Sequence, residues 1–346
     1  MTQIQNTLYV TTHGSYLSKD GENILVKSEG NIVMRVPVHV LDGIVCIGRI
    51  MISPALMGHC MKHGLSISFL TENGYFLGRV VGSVSGNVLL RREQYRHADD
   101  PIKSFNIAKN IVIGKILNQR TVLDRALRDY NDVMHINDRD SLCATKIHFT
   151  QAVQHIQNEN NIDVLRGIEG ESAKKYFGQF NTLIRTNNEE FRFIGRSRRP
   201  PLDRINSMMS FVYTLLTHDI RSALESVGLD PTVGFLHTDR PGRLGLALDI
   251  LEEFRPWFCD RLVISLINRK QIHVDDFIIM PDGACMMTAA GRKILIMAYQ
   301  KRKRDPIKHG FLDEKSFVGI MWHLQAKLLA RYLRKDLDEY PPFLWR

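Results

Sequence analysis

The sequence predicts an α+β protein: a small N-terminal β-rich domain over residues 1–90, then a larger all-α catalytic domain over 102–346, joined by a linker at 91–101. Three observations carry this. Short β-branched and aromatic runs separated by turn residues fill the first ninety positions, whereas apolar residues recur at three- and four-residue spacing afterwards. A chain of 346 residues is also long for one hydrophobic core.

In the first part the expected strands are Leu8–Val10, Ile24–Val26, Ile32–Met34 and Ile44–Ile47, divided by Lys19-Asp20-Gly21, Glu29-Gly30-Asn31 and Asp42-Gly43. Pro37 cannot donate to a ladder, so the end of the third run belongs at an edge or bulge. One helix is expected from Pro54 to His63, with Pro in its first turn and Gly64 closing it. Two more strands, Ser66–Leu70 and Tyr75–Val81, flank Glu72-Asn73-Gly74. Beyond Val88 the pattern is helical, as in Ile107, Ile111, Ile116, Leu123 and Leu127. The Pro pair in Tyr340-Pro341-Pro342-Phe343-Leu344-Trp345 ends any helix, which predicts a flexible C-terminal tail.

Composition excludes several classes. With 44% hydrophobic and 24% charged residues the chain reads as globular. No apolar run reaches membrane-span length, and no secretory signal is expected at Met1–Val10, so a cytoplasmic location and no membrane partner are expected. The five cysteines (Cys46, Cys60, Cys143, Cys259 and Cys285) are scattered singly, which predicts reduced thiols rather than a zinc cage or disulfide framework. The net charge is +9, yet residues 1–90 hold six Lys/Arg against five Asp/Glu. Nearly all the surplus therefore lies in the helical part, where it would attract a polyanion.

Three segments of that part carry candidate chemistry. Glu169 sits between glycines in Leu165-Arg166-Gly167-Ile168-Glu169-Gly170, where a ligand can approach closely; a first-turn glutamate favoured by the helix dipole is the competing reading. His237 ends Gly234-Phe235-Leu236-His237 and enters a loop rich in Gly, Pro and Arg; a structural histidine is the alternative. The third segment, Leu246 to Pro256, places Leu244, Ala247, Leu248, Leu251 and Phe254 on one helical stripe. Glu252 falls at its margin, whereas Asp249 and Glu253 point further away, so Glu252 is the better ligand and Asp249 a supporting or alternative group. All three acids on a solvated face is the alternative. Together Glu169, His237 and the acidic pair would form a mixed oxygen and nitrogen site suited to Mg²⁺ or Mn²⁺, the imidazole leaning towards Mn²⁺. Arg196, Arg198 and Arg199 form a basic stretch open to phosphate contact or plain solvation, and the run Lys301 to Arg304 reads more simply as an exposed helix end binding DNA than as a nuclear-localisation signal.

Taken in order, Leu-Arg-Gly-Ile-Glu169-Gly with Tyr176-Phe177, then Arg-Arg-Pro-Pro with Asn206 and Tyr213, then Gly-Phe-Leu-His237, then Leu-Ala-Leu-Asp249-Ile-Leu-Glu252-Glu-Phe-Arg-Pro, the chain resembles the CRISPR spacer-acquisition integrase-endonuclease family. Its length and its Tyr-Pro-Pro-Phe-Leu-Trp ending resemble the subtype I-C branch. The resemblance implies a metal held by Glu169, His237 and Glu252, with Asp249 as a further active-site residue. Many members have Asp where this chain has Glu252. It implies insertion of short DNA fragments into a CRISPR leader-repeat by attack of a 3′-hydroxyl on a phosphodiester. Hydrolysis is the same chemistry with water. It also implies a homodimer formed through the β-domain, and a larger complex with a second adaptation protein. A non-catalytic DNA-binding scaffold and a stand-alone nuclease on branched DNA are the competing readings.

Overall fold

The computed structural model describes residues 6–72, 74, 76–82, 87–186 and 189–345. Its β-branched runs form two small sheets. β1 (Thr7–Val10), β5 (Gly43–Ile47) and β7 (Ser66–Leu70) are parallel, and β8 (Phe76–Val80) closes that sheet antiparallel to β7. The second sheet runs β4 (Asn31–Pro37), β3 (Asn23–Ser28), β2 (Tyr16–Asp20) and β6 (Met51–Ile52). β4 is an edge strand ending at Pro37, as the missing donor requires. β2 and β6 were not expected, because β2 contributes only Leu17 to the core. Tyr75, the expected start of the last strand, lies outside the described residues.

Helix α1 (Pro54–Lys62) begins where the Ser53 hydroxyl accepts from the Leu56 amide at 3.2 Å, and it ends before Gly64, whose φ is 72°. It covers a core of Leu17, Ile24, Ile44, Cys46, Leu56 and Cys60 between the sheets. The alternate residues of β5, Val45 and Ile47, face the other way and join the helical core with Leu70. This strand is buried on both faces, which its unbroken apolar sequence requires.

The helical part comprises α2 (Val88–Asp99), α3 (Pro101–Tyr130), α4 (Ile136–Gln157), α5 (Ile162–Gly178), α6 (Phe180–Leu183), α7 (Arg204–Val227), α8 (Gly245–Phe254), α9 (Arg261–Asn268), α10 (Ala289–Lys303) and α11 (Met321–Leu333). The stretch expected as a linker, 91–101, is the body of α2 and the first residue of α3, because Asn87 caps α2 through two amides. Two small hairpins interrupt the helices: β9 (Phe277–Ile279) with β10 (Cys285–Met287), and β11 (Pro306–Lys308) with β12 (Lys315–Phe317). No helix among the described residues is long and apolar enough to cross a membrane. α3, about 45 Å long at 1.5 Å per residue, packs against α2, α4, α5 and α8 and is the axis on which the site is built.

The tail is not flexible as expected. Tyr340, Phe343 and Trp345 are buried: Phe343 stacks on Phe254 and Trp257, and Asn118 of α3 holds the backbone of Phe343 and Trp345 at 2.8 Å each. The Pro pair stops a helix but leaves an extended strip whose aromatics fill a groove.

Candidate functional site

Lys115 lies on the buried stripe of α3, one helical turn beyond Ile111, with its ammonium inside the protein. It is paired with the Glu169 carboxylate of α5 and lies 2.7 Å from Oε2 of Glu252 on α8. Burial alone would lower the lysine's pKa, but Glu252 and Glu169 outweigh it and raise it. Glu252 receives a second cation, Arg255, whose Nη1 donates to Oε1 at 2.5 Å. Burial opposes ionisation of Glu252, yet Arg255, Lys115 and His237 together hold it at about 2. Arg255 in turn lies over the Tyr213 ring at 4.9 Å, and the Tyr213 hydroxyl donates to Asp260 at 2.5 Å. Burial raises Asp260 to about 6.

His237 reaches the cluster from the loop between α7 and α8. That loop lies against the start of α8 because Gly234 and Gly245 are both glycine. A Cβ on Gly245 would stand 2.6 Å from the Thr232 carbonyl, and one on Gly234 would meet Asp249 Oδ2 at 2.8 Å. Asp249 then organises the loop. Its Oδ2 accepts from the amides of Phe235 and Leu236 at 2.6 and 3.0 Å, and its Oδ1 from the amide and Nδ1 of His237 at 3.1 and 2.6 Å. A carboxylate accepts only, so Nδ1 carries a proton, and in the neutral ring the lone pair is on Nε2. Nε2 lies 4.0 Å from Glu252 Oε1. Arg166, one turn before Glu169 on α5, donates to the Leu236 carbonyl at 2.9 and 3.2 Å and ties the histidine loop to the glutamate's helix.

The structure thus brings Glu169, His237, Asp249 and Glu252 to one place. It corrects the reading of α8. Asp249 and Glu253 do not point to solvent, since every residue of that helix except Leu248 is buried. Glu253 faces the tail, accepting from Tyr340 Oη at 2.7 Å, the Phe343 amide at 2.7 Å and Gln325 at 2.9 Å, while burial raises it to about 8. Glu169 sits within α5 rather than in its first turn, and a Cβ at Gly167 or Gly170 would meet only open space. The basic stretches divide. Arg196 is held by Asn206 and Ser210, and Lys303 is buried on Asp219, whereas Arg198, Arg199, Lys301 and Arg304 are exposed.

Lys115, Arg255 and the anchoring role of Arg166 escaped sequence reasoning. For Lys115 a signal existed, a lysine placed on an otherwise apolar helical stripe. The donor chemistry here, two carboxylates and an imidazole with a free lone pair, fits a hard divalent cation, and the Lys115 ammonium stands between those carboxylates as a cation.

Fold and cluster define a class: a β-domain and a helical domain whose helices and one loop bring acids and a histidine to one site. Residues 8–301 match the family model described as CRISPR associated protein Cas1. A CRISPR-associated endonuclease Cas1 of Chlorobaculum tepidum is 54% identical over 341 residues, covering 99% of this chain and 98% of its own. Among solved structures, a casposase bound to integration product superposes with a TM-score of 0.82 at 23% identity, covering 97% of this chain and 93% of its own. A Cas6-RT-Cas1–Cas2 complex contains a chain that superposes at 0.82 with 23% identity over 100% of this chain, which spans 36% of it. At that identity the structural likeness speaks for the fold. The chain belongs to the Cas1 family of CRISPR-associated proteins.

Proposed function

We propose that Glu169, His237 and Glu252, with Asp249 orienting the histidine, form the centre at which this chain cuts and joins DNA. The chain is an endonuclease and integrase of CRISPR adaptation. The observation that carries the site is the meeting of Glu169 from α5 and Glu252 from α8 on one buried cation, with His237 Nε2 beside them.

Glu169, His237 and Glu252 would hold one Mg²⁺ or Mn²⁺ ion, which when bound neutralises charge on a phosphodiester and acidifies the attacking hydroxyl or water. The chain's own residues set the stage. Asp249 fixes the proton of the neutral His237 ring on Nδ1 and orients the ring, and Arg255 keeps Glu252 ionised. Lys174 and Lys175, exposed on the helix of Glu169, and Arg198 and Arg199 are placed to meet phosphates. In joining, a 3′-hydroxyl oxygen bonds to phosphorus, the target strand's bond from phosphorus to its 3′-oxygen breaks, and that oxygen takes up a proton. The number of phosphodiesters is unchanged, so no energy source is consumed.

The DNA partners of this reading are a prespacer fragment and a CRISPR leader-repeat, and a second adaptation protein, for which the complex containing Cas2 is the precedent, completes the assembly. Homodimerisation through the β-domain is supported by the edge strand β4, where Ile32, Val33 and Met34 are 55%, 59% and 49% exposed. Chain length and the tail sequence support placement in the subtype I-C branch.

The test is integration of a labelled duplex with free 3′-hydroxyls into supercoiled plasmid. Joining should require Mg²⁺ or Mn²⁺ and vanish in Glu169→Ala and His237→Ala. Undiminished joining in either variant overturns the site, and cleavage without joining makes the chain a nuclease alone.

A further inference from the structure

The β-domain holds a second cluster of metal-binding side chains, remote in sequence from the site above. His59 and His63 lie one turn apart on and just after α1, so their rings share a face, with centroids 4.4 Å apart. Glu22, in the turn between β2 and β3, brings Oε2 to 3.4 Å from His59 Nε2 and 3.7 Å from His63 Nε2. The ligating atoms of all three lie within 4.8 Å of one another, and among the described residues no other His, Cys, Asp or Glu group closes this tightly.

We propose that Glu22, His59 and His63 form a zinc site, with water as fourth ligand, that ties the β2–β3 turn to α1. Three observations carry it. Tetrahedral ligands at about 2.0–2.1 Å from zinc stand about 3.4 Å apart, close to the separations seen here. His63 Nδ1 donates to the His59 carbonyl at 2.9 Å, which fixes its tautomer and leaves the Nε2 lone pair towards Glu22; a metal-bound histidine is usually held by such a bond from its other nitrogen. Nε2 of His59, a residue only 7% exposed, is buried and makes no hydrogen bond. A buried nitrogen that makes no hydrogen bond is costly, and its ion-pair contact with Glu22 at 3.4 Å is long for one. Two imidazoles and one carboxylate suit zinc, and the adjacent Cys60 is buried in the apolar core outside this group. His63 borders the cleft between α1 and α7, which provides an entry path.

The experiment uses untagged, chelator-stripped, full-length protein carrying His237→Ala, so that zinc taken up at the site of the preceding section is not counted. Calorimetric titration with Zn²⁺ alone should give one equivalent at micromolar or tighter affinity, and Co²⁺ should give a tetrahedral absorption band. Adding His63→Gln or Glu22→Gln, both at exposed positions and checked for native circular dichroism without metal, should weaken zinc at least about 100-fold and abolish the band. His59→Gln should do the same. No uptake, or uptake unchanged by His63→Gln and Glu22→Gln, overturns the proposal and leaves the cluster as a histidine–glutamate ion pair. Loss of strand joining in His237→Ala bears only on the other site, so the two readings fail separately.

Discussion

One carboxylate oxygen, Oδ1 of Asp249, accepts both the ring and backbone N–H of His237, at 2.6 and 3.1 Å. The same side chain holds the two preceding amides. Asp249→Asn would aim an NH₂ group at some of these donors. The expected result is a fall in strand joining of about 10- to 100-fold, with DNA affinity by fluorescence anisotropy unchanged. A full rate would show that the tautomer of His237 does not matter.

Lys115→Met leaves Glu169 and Glu252 facing each other without their shared cation. Removing one partner of a buried ion pair costs about 3–5 kcal/mol, so urea unfolding in EDTA should show a loss of that order. Mn²⁺ should then raise the melting temperature of the variant by more than that of the wild type. Equal rises would mean that the lysine does not stand in the cation position.

The depressed Glu252 carboxyl sets a pH dependence. Its folded value of about 2 lies below the ordinary 4.5. By linkage its contribution is present above about pH 4.5 and is lost as pH falls towards 2. The stability gap between wild type and Glu252→Gln should therefore be wider at pH 6 than at pH 3. A gap independent of pH would rule out ion pairing with Arg255 and Lys115 as its source.

Phe343→Ala empties the groove between Phe254 and Trp257. A loss of about 3–5 kcal/mol is expected, together with reduced joining, because the same tail braces Glu253 on the helix that carries Glu252. Chemical denaturation and the plasmid assay on one preparation test both. Unchanged stability would mean that the tail is dispensable.

Much of this was legible in local chemistry. The runs Leu8–Val10 and Ile44–Ile47, the helix start at Pro54 and the shift to helical spacing near Val88 each follow from properties a few residues carry themselves. β2 was missed because Tyr16–Asp20 buries one apolar residue and pairs mainly through its backbone. Reading α8 as amphipathic failed for a different reason. Periodicity reports one buried face, but α3, α7 and the tail cover this helix on several sides, so Asp249 and Glu253 are buried polar groups with dedicated partners.

The sequence by itself determined the α+β division, the ordered motifs around Glu169, His237, Asp249 and Glu252, and the presence of basic surplus in the helical part. Only the tertiary structure decided that Lys115 sits between two of those acids, that Asp249 sets the histidine's tautomer, that the tail is a brace, and that Glu22 meets His59 and His63. Residue type and spacing act over a turn of helix or a strand pair. Which buried charge finds which partner depends on desolvation across segments up to about a hundred and forty positions apart, as for Lys115 and Glu252, and that is settled only when the helices pack.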